Sequence, residues 1–149
     1  MFINYTLCID NTNIKFKVGI HMRTFQEEDK IKLLADIIEI QSKNENEIEV
    51  CHYIQNLLAQ YDIPSKIIKV SETRANLVAE IGSGSPILAM SGHMDVVDAG
   101  HHEKWTYPPF KLTEQDGKLY GRGTTDMKGA LMGMVIALIE LKLSGDLSK

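Results

Sequence analysis

The sequence predicts an α/β fold, a mixed sheet flanked by helices, and three features lead to that prediction. Two stretches with apolar residues at helical spacing come first, within residues 24–61. Three short apolar segments follow, within residues 66–90. A long apolar helix is predicted over residues 127–143. Helices on both sides of a group of strands in the sequence are typical of a layered α/β domain.

Composition restricts the class of protein. The 149 residues are enough for one domain with a buried core. The formal charge is −4 and Lys and Arg are scattered, so we expect no nucleic-acid partner. Cys8 and Cys51 form neither a metal-binding spacing nor a disulfide framework, which indicates a reducing compartment. Without a membrane-length apolar run or a signal-peptide pattern, we expect a cytoplasmic protein with no membrane partner.

Residues 1–21 differ from the rest of the chain. They are rich in Asn and β-branched residues, and the alternation over Ile14–Val18 predicts a half-buried strand. Met22 stands directly before a helix start. We therefore expect residues 1–21 to be an extension upstream of the natural initiation site, an expectation that an intact mass beginning at Met1 from the native locus would contradict.

Two scaffold helices are predicted ahead of the strands. Thr24-Phe25-Gln26-Glu27 matches a capping box, in which a hydroxyl and a carboxylate three residues later satisfy each other's backbone N–H groups. Apolar spacing continues this helix to about Ile40. A second helix ends before Pro64. Its inward stripe is Ile48, Cys51, Ile54, Leu58 and Tyr61.

Three strands are predicted at residues 66–70, 76–81 and 87–90. The turn Gly82–Ser85 is short enough to join the last two as an antiparallel hairpin. The third segment is nearly continuous in apolar residues, which favours a central position in the sheet.

A loop, a second hairpin and a buried helix complete the predicted fold. The loop covers residues 96–109. The hairpin joins Phe110–Thr113 to Lys118–Tyr120 through a turn at Asp116-Gly117. The helix over residues 127–143 is apolar on nearly all faces, which predicts burial, and Ser144-Gly145 is expected to end it.

Two short motifs carry the candidate chemistry. His93 and Asp95 follow the third strand, and residues two apart in extended backbone point to the same side. A metal-bound imidazole usually donates its other ring N–H to an oxygen. Gly121 and Gly123 form a G-x-G, but Asp126 would repel a pyrophosphate, so we reject a dinucleotide site. His93 and Asp126 would instead supply one nitrogen and one oxygen ligand to a transition metal.

Three motifs resemble the dinuclear-zinc peptidase and amidohydrolase family, whose members include aminoacylases, acetylornithine deacetylases and glutamate carboxypeptidases. They are Ser91–Val97 (SGHMDVV), Trp105–Phe110 (WTYPPF) and Gly121–Gly129 (GRGTTDMKG). Their order and spacing are similar to those of the family, and the resemblance extends over residues 22–149. Within the family the sequence most resembles bacterial succinyl-diaminopimelate desuccinylase-type proteins. The resemblance implies an incomplete zinc-peptidase catalytic domain.

Carried over by position, the resemblance implies roles for three residues. His93 corresponds to a ligand of one zinc, and Asp126 to the carboxylate that bridges two. Asp95 corresponds to the catalytic residue that orients His93. The implied reaction is metal-dependent hydrolysis of an N-acyl amino acid, with N-succinyl-diaminopimelate of lysine biosynthesis as the expected substrate. Two Zn²⁺ ions are the implied cofactors, with Co²⁺ as an alternative, and full-length relatives are expected to be homodimers.

The resemblance also implies that much of the family's site lies downstream of these 149 residues. The general-base Glu, the later carboxylate and His ligands, and the lid or dimerisation domain are expected there, so residues 22–149 are expected to be the N-terminal portion of the catalytic domain. Glu27-Glu28 is no substitute, since acidic residues in a first helical turn suit the helix dipole. We expect the chain alone to be inactive. The alternatives are a non-catalytic remnant or an interaction module that needs a complementary chain.

Several other side chains allow two interpretations. His101 and His102 could be ligands, but a loop pair is more often solvated. Arg122 could hold an anionic substrate group, or could pair with a neighbouring carboxylate to brace its loop, which is the commoner use. Lys128 could brace the Asp126 carboxylate or line an exposed first turn of the helix.

Overall fold

The computed structural model describes residues 3–8, 25–43 and 45–145, and for residues 3–8 it describes the backbone. The described elements form a mixed α/β fold, as predicted. They are, in chain order, β1 (Ile3–Cys8), α1 (Glu27–Glu39), α2 (Glu47–Ala59), β2 (Ser65–Lys69), β3 (Ala75–Ile81), β4 (Ile87–Gly92), β5 (Thr113–Gln115), β6 (Lys118–Tyr120) and α3 (Gly129–Ser144).

The main sheet has four described strands in the order β2-β3-β1-β4. β2 is antiparallel to β3, while β1 runs parallel to β3 and antiparallel to β4. The predicted hairpin of β3 and β4 is therefore wrong, because β1 lies between these two strands. A short connection limits how far apart two strands can be, but it does not prevent a third strand from pairing with both.

β4 was also predicted to be central, and this is wrong as well, because β4 is at one edge of the described sheet. Ile87 and Leu88 are 57% and 46% exposed. β3 behaves differently: its alternate side chains Ala75, Leu77, Ala79 and Ile81 are buried. An apolar run is typical of a strand covered on both faces. In β4, the faces that carry Ile87 and Leu88 are both partly open.

α1 ends where the sequence predicted, but its start differs from the predicted capping box. The N-cap is Gln26, without a side-chain cap, and Thr24 lies outside the described residues. The backbone N–H of Phe25 donates instead to Glu140 Oε1 at 3.0 Å. The Phe25 ring also packs edge-on against Tyr61, with centroids 5.7 Å apart. Tertiary contacts to α3 and to the end of α2 thus replace a local cap.

A single hydrophobic core joins the three helices to the inward face of β3. Cys51 lies in it as a small apolar residue, as predicted, and burial together with the nearby Glu47 carboxylate raises the pKa of its thiol to about 12. Among the described residues, no helix has both the length and the apolarity needed to cross a lipid bilayer. The largest buried core side chains include Ile37, Ile38, Ile54, Leu58, Ile63, Leu77, Met94, Leu131 and Met132.

The second hairpin is confirmed, although β5 begins at Thr113 rather than Phe110. Its turn has positive φ angles at Asp116 (52°) and Gly117 (68°), the conformation of the tight turns that join antiparallel strands. α3 ends before Gly145, whose φ is 72°, also as predicted. The alternation over Ile14–Val18 that predicted a strand lies outside the described residues.

Candidate metal centre

His93 directly follows β4, and its ring is held by Asp95. Nδ1 of His93 lies 3.0 Å from the Asp95 carbonyl oxygen and 3.3 Å from its Oδ1. Both neighbours are acceptors, so a proton on Nδ1 would be donated to Asp95. This arrangement fixes the orientation of the ring and leaves Nε2 facing away from Asp95. Asp95 thus lies beside the His93 ring, and its orienting role stays a prediction.

Nε2 of His93 faces the carboxylate of Asp126. The distance from Nε2 to Oδ1 is 2.7 Å, although the two residues are 33 positions apart in the sequence. The His93 side chain is 31% exposed and that of Asp126 is 85% exposed. At this distance the two atoms are hydrogen-bonded to each other. Imidazole nitrogen and carboxylate oxygen are also ligand types that divalent transition metals accept.

The loop that carries Asp126 depends on a glycine with no room for a side chain. Gly123 has a φ of 86°, and a Cβ on it would lie 2.5 Å from Val96 Cγ1. A wide turn, Thr124–Lys128, follows, and Asp126 within it has a non-helical backbone with φ −127° and ψ 97°. The Asp126–Met127 peptide bond is cis. The turn presents the Asp126 carboxylate outward, ahead of the first residue of α3.

Lys128, two residues after Asp126, is fully buried, so both sequence interpretations of it are wrong. Its ammonium donates to the carbonyl oxygens of Ile37 at 2.6 Å and Ile40 at 2.7 Å. Carbonyls at the end of a helix have no partners within the helix, and Lys128 supplies one for each of these two. Burial lowers the pKa of Lys128 to about 8.

As Lys128 connects the Asp126 loop to the end of α1, Ser42 connects the segment after His93 to the residues just after α1. The sequence analysis did not identify Ser42. It is fully buried, its hydroxyl donates to the Met94 carbonyl at 2.6 Å, and its own carbonyl accepts the Val96 N–H at 3.0 Å. These bonds bracket Asp95 and follow directly after His93. The end of α1 and the residues just after it therefore hold both donor segments, one through Lys128 and the other through Ser42.

Arg122 braces its loop, but through partners other than a carboxylate. Its Nη2 donates to the Asp98 carbonyl at 3.3 Å, and its guanidinium lies 4.8 Å from the centre of the Trp105 ring. The indole N–H of Trp105 donates to the Ala99 carbonyl at 2.9 Å. These contacts order the loop between His93 and Asp126.

The histidine pair in that loop is solvated, as the commoner interpretation expected. The His101 side chain is 72% exposed and its Nδ1 lies 2.9 Å from Glu103 Oε1, while the His102 ring lies 5.9 Å from Phe110. Within the part of the chain that the structure describes, no three His, Cys, Asp or Glu side chains are grouped to hold a metal ion. The described site thus brings together His93, Asp95 and Asp126.

Known proteins are similar to the part of the chain that contains His93 and Asp126. Residues 89–149, which contain both donor motifs, match peptidase family M20/M25/M40. A Staphylococcus epidermidis protein named "Probable succinyl-diaminopimelate desuccinylase" is 68% identical over 128 residues, which cover 86% of this chain and 32% of that protein. A Staphylococcus aureus protein of the same name is 71% identical over 121 residues, covering 81% of this chain and 30% of that protein.

A solved structure, that of human carnosine dipeptidase 1, has a similar fold, with a TM-score of 0.56 and 21% sequence identity over 77% of this chain and 28% of that one. The chain spans about a third of the length of the curated relatives it matches. The family match includes His93 and Asp126. Residues 89–149 are thus similar to peptidase family M20/M25/M40, and most of the chain is similar to about a third of the curated relatives.

Proposed function

We propose that this chain carries one half of the metal centre of a succinyl-diaminopimelate desuccinylase-type hydrolase. In this proposal His93 would be a ligand of one metal ion, Asp126 would be a ligand shared by two, and Asp95 would orient His93. The observation that carries the proposal is that His93 and Asp126, 33 positions apart in the sequence, bring an imidazole nitrogen and a carboxylate to one accessible place. The 68% identity to the S. epidermidis protein supports the choice of substrate class, an N-acyl amino acid such as N-succinyl-diaminopimelate.

The chain's own residues prepare the donors for a metal. With its Nδ1 proton donated to Asp95, a neutral His93 would offer the Nε2 lone pair to a metal ion in place of the hydrogen bond that Nε2 makes with Asp126. Asp126 adds negative charge where a cation would bind. Zn²⁺ is the proposed ion, with Co²⁺ as an alternative. When bound, such ions lower the pKa of a bound water and polarise an amide carbonyl for hydrolysis.

Two protein donors are fewer than a catalytic zinc site uses. We therefore propose that the remaining ligands and the general base come from residues outside those described here, and that these 149 residues alone do not turn over substrate. The proposal favours an interaction module that is completed by a complementary chain or segment. A non-catalytic remnant is the second candidate, favoured by the absence of a third donor among the described residues.

Calorimetric titration of the full chain with Zn²⁺ tests the donor pair. We expect saturable binding that weakens at least tenfold in His93→Ala and in Asp126→Asn, because each removes a direct ligand. His101→Ala is the matched control, since that side chain is exposed and paired with Glu103, and it should bind Zn²⁺ like the wild type. Binding unchanged in both site variants would contradict the proposal.

Activity measurements separate the two candidates. The chain alone, with Zn²⁺ or Co²⁺, should not hydrolyse N-succinyl-diaminopimelate, and turnover that tracks metal occupancy would refute the half-site. Mixed with the downstream two thirds of the S. epidermidis relative, the wild-type chain should restore turnover, and Asp126→Asn should not. If the two pieces neither co-purify nor restore activity, the remnant is the better description.

A further inference from the structure

A cleft of about 650 Å³ lies beside the second hairpin. It is formed by residues 105–107 of the loop before the hairpin, by β6, and by the first residues of the Asp126 loop. Of the described residues, neither His93 nor Asp126 lines it. Clefts of this size hold small molecules in many proteins. The cleft is therefore a candidate binding site apart from the candidate metal centre.

Two side chains of β6 reach this cleft from the same side of the strand. Lys118 and Tyr120 are two residues apart, and such residues share one side of an extended strand. Leu119 between them packs against the hydrophobic core. Pairing with β5 fixes the register, with Lys118 opposite Gln115 and Tyr120 opposite Thr113. The hairpin thus presents one cation and one aromatic ring to the cleft.

The aromatic rings of the cleft are held by one another and by residues outside the cleft. The Tyr107 and Tyr120 ring centroids are 4.9 Å apart, with an angle of 46° between the ring planes. The Trp105 indole N–H donates to the Ala99 carbonyl, and the Arg122 guanidinium lies 4.8 Å from the centre of the Trp105 ring. Because these contacts already restrict the rings, little side-chain freedom remains to be lost when a ligand binds.

The polar groups of the cleft are available to a ligand. In the part of the chain that the structure describes, the Lys118 side chain forms no ion pair, and the hydroxyls of Tyr107 and Tyr120 form no hydrogen bond. Lys118 is exposed, and Tyr120 is 37% exposed. No Asp or Glu among the described residues lines the cleft. One unpaired ammonium thus lies in a cleft walled by three aromatic rings, which favours an anionic ligand with an aromatic body.

We propose that this cleft binds an aromatic carboxylate, a small molecule in which a planar ring carries an anionic group. The ring of the ligand packs edge-on or offset against Trp105, Tyr107 and Tyr120, the arrangements that aromatic pairs prefer. Its carboxylate accepts a charge-assisted hydrogen bond from the Lys118 ammonium. A neutral aromatic molecule would leave the ammonium unpaired, and an aliphatic acid would lose the aromatic contacts. Binding needs no metal ion, so the proposal is independent of the proposed metal centre.

Titration of the full chain with phenylacetate, in the presence of a metal chelator, tests the proposal. Trp105 is the only tryptophan in the sequence, so tryptophan fluorescence and the single indole N–H resonance both report on the cleft. Both signals should change saturably. Cyclohexylacetate keeps the charge without the aromatic ring, and phenethyl alcohol keeps the ring without the charge. Each should bind at least fivefold more weakly. Binding of either control as tight as that of phenylacetate, or no saturable change in either signal, would overturn the proposal.

Substitutions in the cleft test where the ligand binds. Lys118→Met should weaken phenylacetate binding at least threefold and leave phenethyl alcohol binding unchanged, because only the carboxylate uses the ammonium. Lys111→Met is the matched control, since Lys111 is also exposed but lies outside the cleft. Tyr120→Leu should weaken the binding of both ligands. Equal weakening by Lys118→Met and Lys111→Met would show a general charge effect and contradict the proposal. If Tyr120→Leu does not fold, the comparison of the two lysine variants decides.

Discussion

The two sides of the loop Gly121–Gly129 differ in burial: one side is tightly packed and the other is exposed to solvent. On the inner side, Gly123 has no room for a Cβ, Gly129 would place one against the Thr124 carbonyl oxygen, and Lys128 is fully buried. On the outer side, the Asp126 side chain is 85% exposed. The buried side determines the shape of the loop, and the exposed side carries the chemistry. Substitutions on the inner side should therefore change stability, and those on the outer side should change metal binding.

The largest effect on stability is expected from Gly129→Ala. Its Cβ would clash with the Thr124 carbonyl oxygen, so the wide turn would have to move. We expect a loss of about 3 kcal/mol in the free energy of unfolding, measured by chemical denaturation. Gly133→Ala is the matched control within the same helix, because a Cβ at that position would have no neighbour within 4 Å. It should stabilise α3 by about 0.5–1 kcal/mol. If Gly129→Ala and Gly133→Ala changed the free energy of unfolding equally, close packing at Gly129 would not explain the loss.

A smaller effect should come from the ionisation of Lys128. Its pKa is about 8 in the fold against 10.5 for an unperturbed lysine, so between these values the unfolded chain binds more protons. The free energy of unfolding of the wild type should therefore rise by about 2 kcal/mol between about pH 7.5 and 9.5, after subtraction of any change in Lys128→Met. The difference between the two denaturation midpoints, followed over this range, measures it. A parallel pH dependence in both chains would show that Lys128 does not titrate there.

The smallest effect on stability is expected on the outer side of the loop. Asp126→Asn should change the free energy of unfolding by less than about 0.5 kcal/mol, because the side chain is largely exposed. The same variant should lose Zn²⁺ affinity. Thermal denaturation without metal and calorimetry with it separate the two effects. A variant that unfolds several degrees lower without metal would place Asp126 among the structural residues of the loop.

Much of the fold was predictable because it depends on local patterns. The turn at Asp116-Gly117 and the end of α3 at Gly145 follow from backbone preference, and the structure confirms them. Of the predicted stripe of α2, Cys51, Ile54 and Leu58 are buried, while Ile48 is half-buried and Tyr61 lies beyond the end of the helix. Strand order was not predictable in this way. A short connection suggested direct pairing of β3 with β4, but pairing is a long-range property, and β1 comes from a distant part of the sequence.

The same distinction between local patterns and long-range contacts applies to the candidate metal centre. The motifs predicted that His93, Asp95 and Asp126 would come together, and the structure brings them together; their metal ligation stays a prediction. Lys128 and Ser42 could not be placed from sequence, because a lysine at a helix start and a serine in a polar break are typical of exposed positions. Their burial depends on carbonyl acceptors from other segments, which no local pattern indicates.

The segment from Ile37 to Ser42 has a consequence for selectivity among metal ions. It contains no proposed ligand, yet it binds Lys128 on one side and the backbone around His93 on the other. It therefore sets the spacing between the nitrogen and oxygen donors. Ions of different radius require different donor spacings. Substitutions in this segment are thus expected to change which ion the centre prefers while leaving every donor atom in the sequence intact.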